Sequence, residues 1–334
     1  MPLNKQIMLD RKPTGKLTVD CFRTQSSPVS DPGPGEVLCR TLLLSLDPAN
    51  RAWMQGATYR GEVSAGTVMP GFTLAEVVAS NDIKFKAGDL VEGDGGWQQY
   101  FIEAGKRLQK RIRREPITHL MSVLGITGKT AYCGLLDIGN PQPGETVVVS
   151  AAGGATGSIA AQIAKIKGAR VVGIAGGADK CRWLIDELGL DDAIDHREGN
   201  VYTALKAACP TGIDVYFDNT GGPILEAALS RMNLHGRIVC CGVVSQYDTA
   251  NPASGPRGVP GLLVTKRLKM QGFIVMDYVG LLAQAEKDLA QWTADGRIKV
   301  VEDIIDGLDN APAGLVGLLA GDNRGKRMIR VALD

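Results

Sequence analysis

The stretch Glu145–Lys165, ETVVVSAAGGATGSIAAQIAK, limits what this chain can fold into more than any other. Val147, Val148 and Val149 are a β-branched run suited to a strand buried on both faces of a parallel sheet. The small residues Ala151–Gly157 follow, and Ile159, Ile163 and Ile166 then recur at helical spacing. The expected order is strand, tight turn, helix. Within the turn, Gly154 and Gly157 complete an A-x-x-G-x-x-G pattern that begins at Ala151. Glycine lets the backbone approach a pyrophosphate closely, and the first turn of a helix offers it free N–H groups and a positive dipole end. A glycine pattern alone is weak evidence, but a preceding strand and a following helix supply the context that a dinucleotide site needs. Thr146–Ala164 is also uncharged and nearly long enough to cross a bilayer, but its glycines, Ser150, Thr156, Ser158 and Gln162 speak against a membrane span.

The 334 residues suffice for two domains, and 44% hydrophobic with 22% charged residues is the balance of a packed globular protein. A net charge of +1 argues against a nucleic-acid or anionic-membrane partner. Met1–Thr14 carries Lys5, Asp10, Arg11 and Lys12 and no apolar core of a signal peptide, so a cytoplasmic location is expected. The seven cysteines are odd in number and contain no C-x-x-C, as expected of reduced thiols.

Before Ile117 the chain reads as short strands with closely spaced turns. Glu36–Leu44, Gly71–Ser80 and Trp97–Ile102 are strand candidates, and Asp31–Gly35 is a turn, as in an all-β barrel. Thr118–Ile138 is helical in character. Strands expected at Arg170–Ile174, Ala193–Asp195, Ile213–Asp218, Arg237–Cys241 and Leu268–Val275 alternate with helices at Asp179–Leu188, Asn200–Ala208, Pro223–Ser230 and Tyr278–Asp295. That alternation means an α/β fold with a doubly wound parallel sheet. Asp248–Gly261 reads as a long Gly/Pro-rich loop, and Lys299–Ile305 and Met328–Leu333 return to strand-like pieces.

The second strand bears on the cofactor. An NAD site usually ends that strand in Asp or Glu, which binds the ribose 2′-hydroxyl. Here it ends Ile174-Ala-Gly-Gly177, leaving room for a phosphate, with Lys180 in the next helix's first turn and Arg182 nearby. Lys180 can neutralise a 2′-phosphate or be an ordinary solvated lysine; the glycine turn upstream favours the phosphate. No metal is expected, because His119, His196 and His235 have no metal-like partner at short spacing and the cysteines do not cluster. Cys240-Cys241 reads as buried, inert thiols rather than a nucleophile.

Several motifs together resemble those of the medium-chain dehydrogenase/reductase superfamily, in its zinc-free group of prostaglandin, alkenal double-bond and curcumin reductases. They are Leu44-Ser-Leu-Asp-Pro48, Ala151–Gly157, Gly173–Lys180, Tyr216–Gly222, Cys241–Tyr247, Gly272–Val275 and Gly321–Lys326. The Gly-His-Glu motif and four-cysteine lobe of the superfamily's zinc-binding members do not occur. The resemblance implies a GroES-like β-barrel substrate domain, residues 1–125 and 300–334, around a Rossmann NADP-binding domain, residues 126–299. It implies NADP(H) as cofactor and a homodimer.

Carried over by motif, the pyrophosphate would lie at Gly154, Ala155, Thr156 and Gly157. Lys180 and His196 would face the 2′-phosphate, and Asn219 the nicotinamide ribose. Cys241, Gly242, Val243, Val244, Ser245, Gln246 and Tyr247 would line the cofactor with Phe273, Ile274 and Val275, and Asn323 would stand near the diphosphate or nicotinamide. Two departures stand out. His196 replaces a frequent tyrosine, which makes that contact titratable, and Ala49 in Asp47-Pro48-Ala49 replaces a tyrosine that would wall the substrate pocket.

The implied chemistry is metal-free conjugate reduction of a small-molecule enone or enal, with hydride delivered to the β-carbon. Charge then builds on the carbonyl oxygen, which needs a donor. Tyr247 is the catalytic candidate, since it follows the fifth strand and ligands of such sheets bind beyond the carboxyl ends of the strands; its other possible role is packing on the cofactor. An NADPH:quinone reductase and a non-enzymatic NADPH-binding protein are the alternatives.

Overall fold

In the computed structural model, which describes residues 3–252 and 254–332, the barrel half grows around one long strand. Strands β1 (Leu3–Leu9), β2 (Phe22–Pro28), β3 (Glu36–Ser45), β4 (Thr67–Val68), β5 (Thr73–Ser80), β6 (Leu90–Gly93), β7 (Tyr100–Ala104) and β8 (Gln109–Arg111) come first, with helix α1 (Pro48–Ala52) after β3. β3, EVLCRTLLLS, is buried along nearly its whole length on both faces, and it pairs antiparallel with β5, β7 and the late strand Lys326–Arg330. β1 pairs with β2 and β4 in a separate small sheet, and Phe22 stacks on the fully buried Trp97 at 5.3 Å.

Helix α2 (Ile126–Cys133) opens the second half. β9 (Thr146–Ser150), α3 (Ala155–Ile166), β10 (Arg170–Ala175), α4 (Ala178–Asp186), β11 (Asp192–Asp195), α5 (Val201–Ala208), β12 (Ile213–Asp218), α6 (Gly222–Arg231), β13 (Met232–Cys240), α7 (Val259–Lys266), β14 (Lys269–Gly272) and α8 (Val279–Ala294) follow. The sheet is parallel with order β11-β10-β9-β12-β13-β14, so β9 and β12 meet where the winding reverses. Every side chain of β9 is buried, as its valine run requires.

The chain then returns to the first half. β15 (Glu302–Asp306) pairs with β16 (Lys326–Arg330), and β16 sets Met328, Ile329 and Arg330 opposite Ser45, Leu44 and Leu43 of β3. Helix α9 (Ala311–Ala320) crosses between them. The buried Lys326 Nζ donates to Ser45 Oγ at 2.6 Å, Leu46 O at 3.1 Å and Asp47 Oδ1 at 2.6 Å. The halves are also joined by charge: Arg111 donates to Glu92 and to Glu286 on α8, both at 3.0 Å, and Lys129 on α2 meets Glu286 at 2.8 Å.

Several expected boundaries shift. The Thr118–Ile138 helix is broken into a 3₁₀ turn at Ile117–Leu120, α2, and a π-turn at Gly134–Gly139. At Gly128 any Cβ would run into the backbone of Val123, which fixes the fold-back between the first two pieces. The Asp248–Gly261 loop ends early, at α7, and one of its residues, Ala253, lies outside the described residues, as does Leu333 of the last expected strand. Strand β13 stops at Cys240 and β14 at Gly272, so Cys241 and Phe273–Val275 lie just beyond strand ends. β1 and α9 answer to no expected element.

We propose 1–125 with 300–334, and 126–299, as the two domain units. A fragment of residues 1–125 lacks the strand that flanks β3, and is expected to show no cooperative thermal transition. Calorimetry of that fragment beside the full chain checks this; a sharp transition in the fragment would refute it.

Candidate functional site

The expected site residues come from the carboxyl ends of β9 to β14, with Lys180 from the first turn of α4, and from the loop before β16. Gly154 caps the amino end of α3, and a Cβ on Gly157 would collide with the carbonyl of Ala151, so the turn closes only with glycine there. Gly325 N–H donates to Gly153 O at 2.8 Å, and Gly154 and Gly325 form an isolated parallel bridge. This lays Gly321–Lys326 directly on the glycine turn. It brings the buried Asn323, whose Nδ2 donates to Gly325 O at 2.8 Å, to the same place.

Beside this turn a hollow of about 360 Å³ is lined by Gly176, Gly177, Lys180, Arg197, Asp322 and Arg324 among others. Lys180 lies across Gly153, whose Cβ would come within 2.6 Å of its Cδ, and its Nζ donates to Gly321 O at 2.7 Å. Burial, then the charges of Arg197 and Arg324, lower its pKa. A Cβ on Gly176 would meet Arg197 Nε at 2.7 Å and His196 Nε2 at 3.0 Å, so both face the glycine pair. His196 is held below its ordinary pKa by burial and by Arg197, against the pull of Asp195. Asp195 Oδ1 in turn accepts the N–H groups of Gly177 at 2.8 Å and Arg197 at 2.9 Å, fixing the hollow's floor. Three cations thus converge on glycine backbone, a suitable seat for a phosphomonoester.

The other end of the site is a hydrogen-bonded seam between the strand ends. Asn219 Nδ2 donates to Ser150 O at 2.7 Å, and its backbone N–H to Ser150 Oγ at 2.9 Å. Cys241 N–H donates to Asp218 O at 2.8 Å, Val244 N–H to Asn219 O at 3.2 Å, and Ser245 Oγ to Thr220 O at 2.6 Å. Gly242 lets these segments close: a Cβ there would lie 3.2 Å from Asn219 O. Tyr247 ends a 3₁₀ turn, Val244–Gln246, with its N–H on Val244 O at 3.1 Å. Burial pushes its phenol above the ordinary tyrosine value, opposed by the backbone of Val243. Cys241 nearby is pushed up to about 12, by burial first and Asp218 second, so its thiol stays protonated at neutral pH.

The structure therefore gathers Gly154–Gly157, Lys180, His196 and Asn323 at one end, and Asn219 with Cys241–Tyr247 at the other. Phe273–Val275 is divided. Phe273 packs under Gly134 and edge-on to Tyr278, and Val275 is a buried core side chain, while Ile274 is exposed. Arg197, Arg324 and Ser150 were not among the sequence candidates. Arg197 adjoins His196 and Arg324 lies within the Gly321–Lys326 motif, so adjacency was the available signal. Tyr59 on the barrel side lies near Tyr247: its phenol is raised mainly by burial, with Tyr247 a small contributor. A larger hollow, about 500 Å³, lined by Leu42, Ile117, Glu302 and Arg330 among others, holds none of the site residues.

Comparison with known proteins agrees with this architecture. Residues 5–111 match the family model described as the N-terminal domain of oxidoreductase, and residues 155–295 the model described as zinc-binding dehydrogenase. The chain is 43% identical to the NADPH-dependent curcumin reductase of Escherichia coli (strain K12) over 99% of its own length and 98% of that protein's. It is 37% identical to the NADP(+)-dependent 2-alkenal reductase of Nicotiana tabacum over 99% and 98%. The crystal structure of CurA from Vibrio vulnificus in complex with NADPH, 40% identical, superposes with a TM-score of 0.94 over 99% of this chain and 100% of that one. The chain belongs to the medium-chain dehydrogenase/reductase superfamily, in the group of curcumin, alkenal and prostaglandin reductases, and is an oxidoreductase. The second model's name mentions zinc, but among the described residues no group of three or more His, Cys, Asp or Glu is placed to hold a metal, so the donors do not fit a zinc centre. Among the described residues, no helix is long and apolar enough to cross a membrane.

The cation hollow makes a binding prediction that needs no turnover. Adenosine 2′,5′-bisphosphate is expected to bind more tightly than AMP, and Lys180→Ala to remove about 1.5–3 kcal/mol of that preference. Calorimetric titration of both ligands checks it; equal affinities in the parent protein would refute it.

Proposed function

We propose that this protein uses NADPH to reduce the carbon–carbon double bond of α,β-unsaturated aldehydes or ketones. The observation that carries the cofactor choice is the hollow of Lys180, Arg197 and Arg324 over Gly176–Gly177, at a strand end with no carboxylate for a ribose 2′-hydroxyl. The residues fit the cofactor along its length: the Gly154–Gly157 turn, the amino end of α3 and Asn323 for the diphosphate, Lys180, His196 and Arg197 for the 2′-phosphate, and Asn219 and the Cys241–Tyr247 seam toward the nicotinamide. NADPH, when bound, supplies the hydride to the substrate's β-carbon. That the E. coli relative is named an NADPH-dependent curcumin reductase and the tobacco one a 2-alkenal reductase supports the substrate class.

The chain's own part in the chemistry is to stabilise the charge that reaches the carbonyl oxygen. Tyr247 is the proposed donor. Its phenol, held above the ordinary tyrosine value by burial, can donate a hydrogen bond, and part burial strengthens that bond. Tyr247→Phe keeps the ring and removes the donor. kcat on an enone is expected to fall roughly ten- to a thousandfold, as oxyanion-donor deletions do, with NADPH affinity little changed. Steady-state kinetics with a cofactor titration check this, and an unchanged kcat would move the donor role elsewhere. Running the same assay on quinones separates the reductase reading from a quinone reductase, and no oxidation of NADPH by any acceptor would leave a binding protein.

We also propose a homodimer formed along β14. That strand is the last of the parallel sheet, and α7 beside it has no fully buried side chain, only half-buried ones such as Val259 and Leu262 against the core. Val264 and Val279 are about three-quarters exposed, with Ile274, Met276 and Leu281 also at the surface. An open strand edge flanked by apolar side chains is a surface that a partner covers. Light scattering is expected to give about twice the 35.4 kDa chain mass, and Val264→Asp with Val279→Asp to give monomer. A monomeric parent protein would refute it.

A further inference from the structure

We propose that Asp248 and Arg51 form a clasp between the two halves that positions Tyr247, making Asp248 a positioning residue of the reaction; this rests on Tyr247 being the carbonyl donor. Arg51 stands on α1 of the barrel and is 1% exposed. Its Nε donates to Asp248 Oδ1 at 3.1 Å and its Nη2 to Gly15 O at 2.7 Å. The backbone N–H of Leu17 donates to the same Asp248 oxygen at 2.7 Å. Asp248 thus takes two donors from barrel segments, although it follows a strand of the parallel sheet. The chain beyond it lies against the same place: a Cβ on Gly15 would sit 4.0 Å from Ala250 Cβ.

Tyr247 is one peptide bond from this clasp. On its other side the backbone is fixed by Val244 O and by the seam that ties Val244 and Ser245 to Asn219 and Thr220. The tyrosine is therefore held between a turn built on the parallel sheet and an ion pair anchored in the barrel. Packing alone is a poor reason for this arrangement. A guanidinium so deeply buried is costly to desolvate, and Arg51 Nη1 finds no partner among the described residues. An apolar side chain of similar size would fill the space at less cost. What the pair adds is direction: it fixes where the residue before Asp248 sits between the two halves. An error of about 1 Å in such a group can cost about a hundredfold in rate.

The test is a double-mutant cycle. Asp248→Asn keeps the side chain's size and an acceptor for Leu17 N–H but removes the charge that Arg51 meets. With an enone as substrate, kcat is expected to fall about tenfold or more, while the NADPH dissociation constant, read by fluorescence titration, moves by less than about twofold. In the Tyr247→Phe background the same change is expected to lower kcat by no more than about twofold further, because its effect passes through the phenol. A parental kcat in Asp248→Asn, or losses that multiply in full in the double variant, overturn the clasp. A slow Tyr247→Phe beside a full-rate Asp248→Asn removes the clasp alone. A full-rate Tyr247→Phe removes the donor assignment and the clasp with it.

Discussion

A buried carboxylate holds the centre of this structure together. Asp218 ends β12 with 2% exposure, and no salt bridge to it is formed among the described residues. Its Oδ1 instead accepts the N–H groups of Gly221 at 2.9 Å and Thr220 at 3.1 Å, Tyr216 Oη–H at 3.1 Å and Ser150 Oγ–H at 3.3 Å. A buried charge is tolerable only when its lone pairs are met in this way. Meeting them fixes the turn after β12, and that turn orients everything that follows. The carboxylate's field then joins burial in keeping neighbouring groups protonated: Cys240 is pushed up to about 11, and Tyr216 stands well above the ordinary tyrosine value.

From that point the seam runs outward. Asp218 O takes the N–H groups of Cys241 and Gly242, Asn219 O takes Val244, and Thr220 O takes Ser245. The backbone so aligned ends at Tyr247. The opposite end of the site depends on a second close approach, that of Gly325 to Gly153, where any Cβ on Gly325 would strike the Val301 carbonyl. The strand that follows, β16, belongs to the sheet of β3. The two ends of the site are thus fixed by contacts between residues far apart in the chain.

The sequence exposed the parts governed by local periodicity. The valine run, the glycine turn and the alternation after Ile117 could be read because each is a repeat within a few residues. Helices α7 and α9 were hidden because glycine and proline there read as loop signals. In fact Pro260 and Pro312 occupy the first helical turn, where proline is tolerated, and Arg267 and Gly321 end the two helices in left-handed conformation. β1 was hidden for another reason: Asn4, Lys5 and Gln6 interrupt its apolar residues, and Ile7 and Leu9 are buried only by a core assembled from distant segments, Leu44, Trp53 and Trp97 among them. Of the site, Lys180 was legible from its distance after the glycines. Arg197 and Arg324 were not, because they reach the same hollow only through strand order and the return of the C-terminal segment. Asp248 and Arg51 share no local pattern at all.

The thiols and the phenol at the seam bear on the proposed chemistry together. An enal or enone is an electrophile that thiolates attack readily, and a thiolate beside it would be alkylated rather than assist reduction. Cys241 lies next to the seam yet is pushed up to about 12, and Cys240 to about 11, by burial first and Asp218 second. Both remain thiols at neutral pH, so neither competes as a nucleophile. Burial also raises Tyr247, whose phenol is a hydrogen-bond donor in its ordinary neutral form. Low local polarity around the seam therefore suppresses the reactive form of sulfur and leaves the phenol free to act as a donor. On the proposed reading, the donor to a developing enolate is a tyrosine that follows, by one short turn, a strand end where two cysteines stand as thiols.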